Sequence, residues 1–533
     1  MSLSKTIKIP MPKDKITFKK VNGNTIYVYY TTRAYRRESD NKPTSDEVII
    51  GKKDPETGML IPNNRYYELF KTEEAIYTPT SIKTFGTFYL FDSIVKKMNL
   101  YDNLYSIFKD KTKQILTVAY YMLIKGNTIK YINYWCEDNY TYLDTPLVSQ
   151  RVSELFESIT YDERMAFFKL WSKRIIENEY IAYDVTSISS YGSNISTVEW
   201  GYNRDGEKLP QINIGMYIGE KNKLPIFYNV YNGSITDKEQ LVFMMKYTSE
   251  LGINNIKFVM DKGFYKKDNL NYMYNNNYKF IICLSNSYNY VRDYVNKAKD
   301  SIKQASNWNN KYQLYSMCMQ YKQDNKVCNI HIIYNPEKQV LEEREIYATI
   351  ERLSIELDNL KEIPTDMSKY EKFYNININN NKIEYSINND KVEKALKMTG
   401  YVLFLTSDLV LMPIDVLQIY RNKDTIEKSF DELKNELDYG RLKTHVNKTT
   451  DGKIFIGFIS LIIRSYLTRS LDELKTNLKK QNYTVQDILY ELEKIKVTTL
   501  NNEKTTMSAI TNAQKTILKN YDISSEINMA LLK

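Results

Sequence analysis

A mixed α/β fold built from several units is predicted for this chain by three observations. At 533 residues it exceeds the roughly 250–300 residues at which a single hydrophobic core stops growing. Apolar runs of strand length recur at Tyr180–Val185, Gln211–Ile218, Pro225–Val230, Lys257–Met260 and Lys279–Leu284, with a helix-like stretch, Lys238–Leu251, between the third and fourth. Three strands, a helix and then further strands is the order of a mixed sheet with helices on its faces.

The remaining elements follow in chain order. Residues 1–80 hold short alternating runs, Thr25–Tyr30 and Val48–Ile50, among turn-rich stretches such as NKPTSDE and KDPETGMLIPNN, and predict a small β-containing module. Residues 81–177 have helical spacing and no proline before Pro146, with Trp135 and Trp171 at packing positions. The sheet texture occupies 178–285. Residues 286–399 turn polar and Asn-rich around a helix, Leu341–Leu360, and a strand-like run, Lys382–Ile387, and read as an insertion. The sheet resumes at Tyr401–Leu405, followed by a long helix over 413–437 and a more apolar one over 453–469, so the sheet domain is expected to comprise 178–285 and 400–470. The tail, 471–533, reads as helical and polar.

Composition narrows the function. Lys and Arg exceed Asp and Glu by 74 to 65, a surplus that permits a nucleic-acid partner without requiring one. The 47 tyrosines accompany abundant Lys, Asn and Ile, all with A/T-rich codons, so they reflect the coding DNA before any function. Cys136, Cys283, Cys318 and Cys328 form no C-x-x-C pair and the only histidines are His331 and His445, which argues against a zinc site of ordinary spacing and against a disulfide framework. The N-terminal MSLSKTIKIPMPKDK has no apolar stretch of the secretion-signal kind, and the longest apolar run, Ile454–Ile463, covers about half a bilayer. A cytoplasmic protein without a transmembrane helix is expected.

Two aspartates follow apolar runs, Asp184 in YIAYDVTS and Asp261 in KFVMDKGFY, where open α/β sheets gather ligands beyond their strand ends. Either one alone is equally read as a cap or turn residue. The helix IYRNKDTIEKSFDELKNEL carries a sharper pattern. At 100° per residue, Tyr420, Lys423, Glu427 and Lys434 fall within roughly 60° of one another, and an apolar stripe of Ile419, Ile426, Phe430, Leu433 and Leu437 is centred about 70° away. Glu427 thus borders the buried face, placed to lean over a sheet edge while staying wet. A solvated amphipathic helix with incidental charges has the same appearance.

Tyr420, Lys423, Glu427 and Lys434 fit the spacing Y-x2-R-x3-E-x6-K, with Lys423 where Arg is usual, so the charge is kept and a bidentate grip on phosphate is not. In this the chain resembles the insertion-sequence DDE transposases whose type member is insertion sequence four. DKGFYKKDNL is similar to that family's second-aspartate motif, with Lys262 in place of Arg, and LPIFYNVYNGSITD and YVLFLTSD also look like its stretches; the similarity spans about 180–465.

The resemblance implies a ribonuclease-H-like catalytic domain with the triad Asp184, Asp261 and Glu427 as metal ligands, an insertion before the glutamate helix, and two Mg²⁺ ions, or Mn²⁺ in their place. Three converging carboxylates stay ionised only against cations, and all-oxygen ligands favour these metals. It further implies DNA strand cleavage and transfer at the terminal inverted repeats of a bacterial or archaeal element. Double-stranded DNA is then the partner, for both ends and target, with a homodimer holding two ends and a location at the nucleoid when DNA-bound. Tyr420, Lys423 and Lys434 would contact the backbone near the scissile phosphate. Family members can stack a flipped base on a tryptophan of the insertion, where Trp308 is the only one here, though a packing role explains it as well. His445 reads as structural, and Thr186, Ser187 and Asn194 as turn residues. Residues 81–177 are the candidate for end recognition. A transposase-derived DNA-binding protein without catalysis and a nuclease without strand transfer are the alternatives.

Overall fold

The computed structural model describes residues 8–20, 25–70, 79–176, 179–192, 194–253, 256–323, 326–360, 362–379, 382–500 and 504–527. Residues 1–7 of the N-terminal segment and the expected domain start at 178 lie outside them. The chain forms two compact units, one of Met1–Gly86, Glu491–Thr511 and Glu526–Lys533, the other of Thr87–Tyr490 and Asn512–Ser525.

The first unit contains a four-stranded antiparallel sheet of Ile16–Lys20, Ile26–Arg36, Pro43–Lys53 and Leu60–Pro62 around buried Val28, Ile50 and Leu60. Its second sheet joins Pro79–Thr84 to Lys496–Leu500 and Lys504–Met507. The tail is therefore not wholly helical as expected. Val497, Thr498 and Thr499 are β-branched and fit a pleated surface.

The second unit is built on a nine-stranded mixed sheet. Its strands are β1 (Tyr180–Ser189), β2 (Gln211–Gly219), β3 (Pro225–Asn232), β4 (Lys257–Met260), β5 (Lys279–Cys283), β6 (Trp308–Asn309), β7 (Leu314–Gln323), β8 (Lys326–Tyr334) and β9 (Tyr401–Thr406), in the order β6-β7-β8-β9-β5-β4-β1-β2-β3. Within β3-β2-β1-β4-β5, the strands β1, β2 and β3 form an antiparallel meander, β1 pairs in parallel with β4, and β4 pairs in parallel with β5. This is the ribonuclease-H-like sheet, and the α/β class is as the sequence predicts. Residues Trp308–Tyr334, inside the expected insertion, extend it: β9 pairs with both β5 and β8, and β7 and β6 follow outward. A smaller unit of that insertion, with the helix Pro336–Asp358 and the hairpin of Tyr374–Asn379 and Lys382–Ile387, closes on its own core of Ile350, Leu353, Leu357, Tyr370, Phe373 and Tyr374.

Four helices matter for the site: α1 (Tyr161–Ile175), α2 (Pro413–Asn422), α3 (Asp424–Asp431) and α4 (Asn447–Arg469). Thr160 and Glu163 start α1 with a reciprocal capping box. Trp171 on α1 is fully buried and donates its indole N–H to the Pro225 carbonyl at 2.8 Å; Trp135 is buried as well. The α4 helix is buried on every side from Gly452 to Leu467 and packs against the helices Lys111–Lys125 and Ser149–Ser158 and against β3. Among the described residues no single helix is long and apolar enough to cross a membrane. A Cβ on Gly452 would overlap the Phe156 carbonyl, so Gly452→Ala must push two helices apart. We expect it to destabilise the protein by about 1–3 kcal/mol, read as a lower urea midpoint.

The Lys453 ammonium, on the same helix, is buried and donates to the Leu442 carbonyl at 3.0 Å. Burial first, then Lys443, pulls its pKa down to about 7. The folded value lies below the unfolded one of about 10.4, so the contribution of Lys453 to stability is full above that pH and is lost as pH falls towards 7. Stability is thus expected to gain a Lys453-dependent rise between pH 7 and 10, seen as a steeper change in unfolding midpoint than in Lys453→Met.

Candidate active site

Parallel pairing of β1 with β4 matches Tyr180 with Lys257, Ile181 with Phe258 and Ala182 with Val259. Carried two residues on at the same offset, that register leads to Asp184 on β1 and to Asp261 just past the end of β4. Asp184 is not at a strand end, as the sequence reading had it. The antiparallel ladder with β2 carries β1 on to Ser189, with Asp184 opposite Met216, while β4 stops at Met260. The aspartate therefore keeps one flank open where its neighbour strand has ended. Asp261 caps the following 3₁₀ turn, accepting the Lys262 amide N–H at 2.7 Å.

The helix predicted over 413–437 is broken in two places. At Lys423 the amide bonds back to Tyr420 and its carbonyl accepts from Ile426, both three residues away, which separates α2 from α3. Residues Glu432–Glu436 then form a π-helical turn. Such turns rearrange side chains at functional sites. Neither break is marked by Pro or Gly. The apolar stripe still holds, with Ile426, Phe430, Leu433 and Leu437 buried. The two helices cross the sheet face, α2 over β4, β7 and β8 and α3 over β1 and β2.

The polar stripe is thereby set above the aspartates. The Tyr420 hydroxyl donates to Asp261 at 2.9 Å, its ring lies 4.7 Å from Phe404, and burial above all, then Cys283 and Asp261, keeps the phenol protonated. Lys423 is 2% exposed, and its ammonium stands 3.2 Å from Glu427 and 4.0 Å from Asp184. The Glu427 side chain is largely exposed. Lys434 reaches Asp205 at 2.6 Å. The structure thus brings Asp184 and Asp261 together and links Glu427 to them through the lysine. Among the described residues no three His, Cys, Asp or Glu side chains converge closely enough to hold a metal as they stand.

Arg204 is the residue that sequence reasoning missed. From the loop between β1 and β2 its guanidinium meets Asp184 at 3.3 Å and also contacts the Val185 carbonyl and Asp237. Asp237 in turn accepts from Tyr231 at 2.9 Å. Burial raises the Asp184 carboxyl above its ordinary range, against the opposing pull of Arg204 and Lys423. Arg204 lies in GYNRDGEK, a turn-rich stretch without periodicity, so nothing in its spacing announced a contact with Asp184. Ser187 accepts the Arg204 amide at 3.1 Å and so positions the loop; His445 is exposed. Trp308 is partly exposed, with its ring 4.8 Å from Tyr315.

With this geometry in place, comparison with known proteins decides the family. Residues 177–463, more than half of the chain, match the model of the transposase DDE domain. The chain belongs to the transposase DDE domain family. The matched span of this DDE domain includes Asp184, Asp261 and Glu427 and takes in β1 to β9 with α2, α3 and most of α4. A solved piggyBac transposase synaptic complex with hairpin DNA shares 10% identity with it over 88% of this chain and 79% of that chain, at a TM-score of 0.32. No curated relative matches the chain.

Proposed function

We propose that this DDE-domain protein cuts DNA at the ends of an insertion sequence and joins the freed ends to new DNA, as a transposase of the Y-x2-R-x3-E-x6-K type. The observation that carries the reading is the parallel register of β1 with β4, which leads Asp184 and Asp261 to the same level beneath the helices that bear Tyr420, Lys423 and Glu427.

The donor set fits a hard divalent cation: it is all oxygen, and the partly buried Asp184 carboxylate already draws in two cationic side chains. Asp184, Asp261 and Glu427 would hold Mg²⁺ or Mn²⁺, which when bound activates the attacking oxygen and steadies the leaving one in displacement at phosphorus. The chain's own groups do the rest. Arg204 and Lys423 favour the ionised form of Asp184 despite its burial. The Tyr420 hydroxyl fixes one oxygen of Asp261 and leaves the other free to bind. Lys434 exchanges its exposed partner Asp205 for a phosphate at little cost, since such surface pairs are worth about 0–1 kcal/mol. Lys423, buried among the carboxylates, acts first on them and then on the phosphate they receive. A homodimer would hold two element ends together.

The test is a plasmid carrying the gene's own flanking DNA, incubated with the protein and Mg²⁺. Cuts at both borders followed by joining to new DNA are the expected result. Cutting without joining would make the protein a nuclease, and border binding without cutting would make it a non-catalytic DNA-binding relative.

A further inference from the structure

The loop that carries Arg204 also presents the most exposed large aromatic side chains near the site: Trp200 is 68%, Tyr202 85% and Tyr191 78% exposed. Burying such a ring contributes about 1.5–3 kcal/mol, and here that contribution is forgone twice within three residues. Of the four tryptophans, Trp135 and Trp171 are buried and Trp308 leans on Tyr315, whereas Trp200 has no ring partner among the described residues.

The rings are not exposed because the loop is loosely held. Glu199 and Gln211 exchange both backbone hydrogen bonds, at 3.0 and 2.9 Å, just before Trp200. The Gln211 side chain donates to the Tyr202 carbonyl at 2.8 Å, and Asn203 donates to Ser189 at 3.0 Å. A Cβ on Gly201, between the two rings, would overlap the Gly233 carbonyl, so the backbone there lies flat against its neighbour. The acidic groups of the loop are engaged as well: Asp205 with Lys434, Glu207 with Arg441, and Glu199 with Asn232. What the anchored loop leaves facing outward is aromatic surface.

We infer that Trp200 and Tyr202 form a stacking platform for unpaired bases of the DNA strand being cut, so that the enzyme prefers ends whose flank is unwound. This rests on the DNA-cutting reading above. Tyr202 precedes Arg204 by two residues, a span of at most about 7 Å, which is about two nucleotides of rise along a strand. The Arg204 side chain extends from there to Asp184, so a strand whose phosphate lies at Asp184 runs past the loop that bears the rings. Bases paired in a duplex have their faces covered by their neighbours, and only unpaired ones lie flat on a side chain. Continuity of the loop with the carboxylates, through Arg204, favours this occupant over a second copy of the chain.

The full-length protein is titrated against fluorescein-labelled twelve-residue oligothymidylate and a twelve-base-pair duplex, with anisotropy as the readout. Stacking is worth about 1–3 kcal/mol per base. Trp200→Ala/Tyr202→Ala is expected to weaken binding of the single strand at least about tenfold more than binding of the duplex, and Trp200→Phe/Tyr202→Phe to restore most of the loss. Equal losses on both probes, or no loss, overturn the platform while leaving the transposase reading intact. A wild-type dimer that the Ala variant reduces to monomer in light scattering, with single-strand affinity unchanged, assigns the rings to a protein interface and overturns it too. Failure of the wild type to bind either probe removes the DNA reading and the platform together.

Discussion

Asp261→Asn is expected to lower Mg²⁺-dependent border cleavage by about 10³-fold or more, the loss of several kcal/mol of charge stabilisation at phosphorus. Binding of border DNA should change only a few-fold. The substitution is nearly isosteric. An Asn Oδ1 can still accept from Tyr420 and from the Lys262 amide, the two bonds that hold the side chain, so the carboxylate charge is what disappears. Gel-resolved cleavage of the flanked plasmid measures the effect beside a mobility-shift assay on the same border. Undiminished cutting would remove Asp261 from the site, and loss of binding as well as cutting would assign it a structural duty.

The second large effect is on the fold. Lys423→Met keeps the length of the side chain and deletes the buried ammonium beside the partly buried Asp184. Breaking a buried pair costs about 3–5 kcal/mol, and Arg204 remains to compensate part of it, so a loss of about 2–3 kcal/mol is expected at pH 7 on the same scale. The sign with pH follows from Asp184, whose folded pKa is already raised and rises further without the lysine. A protonated Asp184 needs no cation. The deficit of the variant is therefore full above the variant's folded pKa and is lost as pH falls from there through the folded pKa of the wild type. Urea midpoints of both proteins at pH 7 and pH 4.5 measure it, and a deficit that grows in acid would show that Lys423 does not serve Asp184.

Much of the central sheet could be read from the sequence because its strands are buried on both faces. The β2 run QINIGMYIG has no exposed residue, and such runs announce themselves between turn signals. Strands β7 and β8 were harder. LYSMCMQYKQ and KVCNIHIIY lie towards the outer edge of the sheet, mix Lys, Gln and Asn with apolar residues, and sit in an Asn-rich context. The triad candidates came from spacing on one helix and from apolar runs ahead of two aspartates. Periodicity could not show that the helix breaks at Lys423, or that its ammonium turns inward between Asp184 and Glu427, because both depend on what packs beneath. Arg204 meets Asp184 from twenty residues further along the chain, on the loop after β1, a relation only tertiary structure creates. The strands of the tail were missed because β-branched Val497 to Thr499 form too short a run to declare a sheet without the partner at Pro79–Thr84.

The pairing of β1 with β4 separates two kinds of distance in this protein. Hydrogen bonds across the sheet decide where Asp184 and Asp261 stand, so the chain joining them is free to grow or shrink; doubling a flexible connection costs only about 0.6 kcal/mol. Within α2 and α3 the opposite holds, because each added residue would turn Glu427 by about 100° away from the sheet. Insertions are thus tolerable in the first interval and ruinous in the second, and engineered tags or domains belong in the connections after β2 or β3, never between Tyr420 and Glu427.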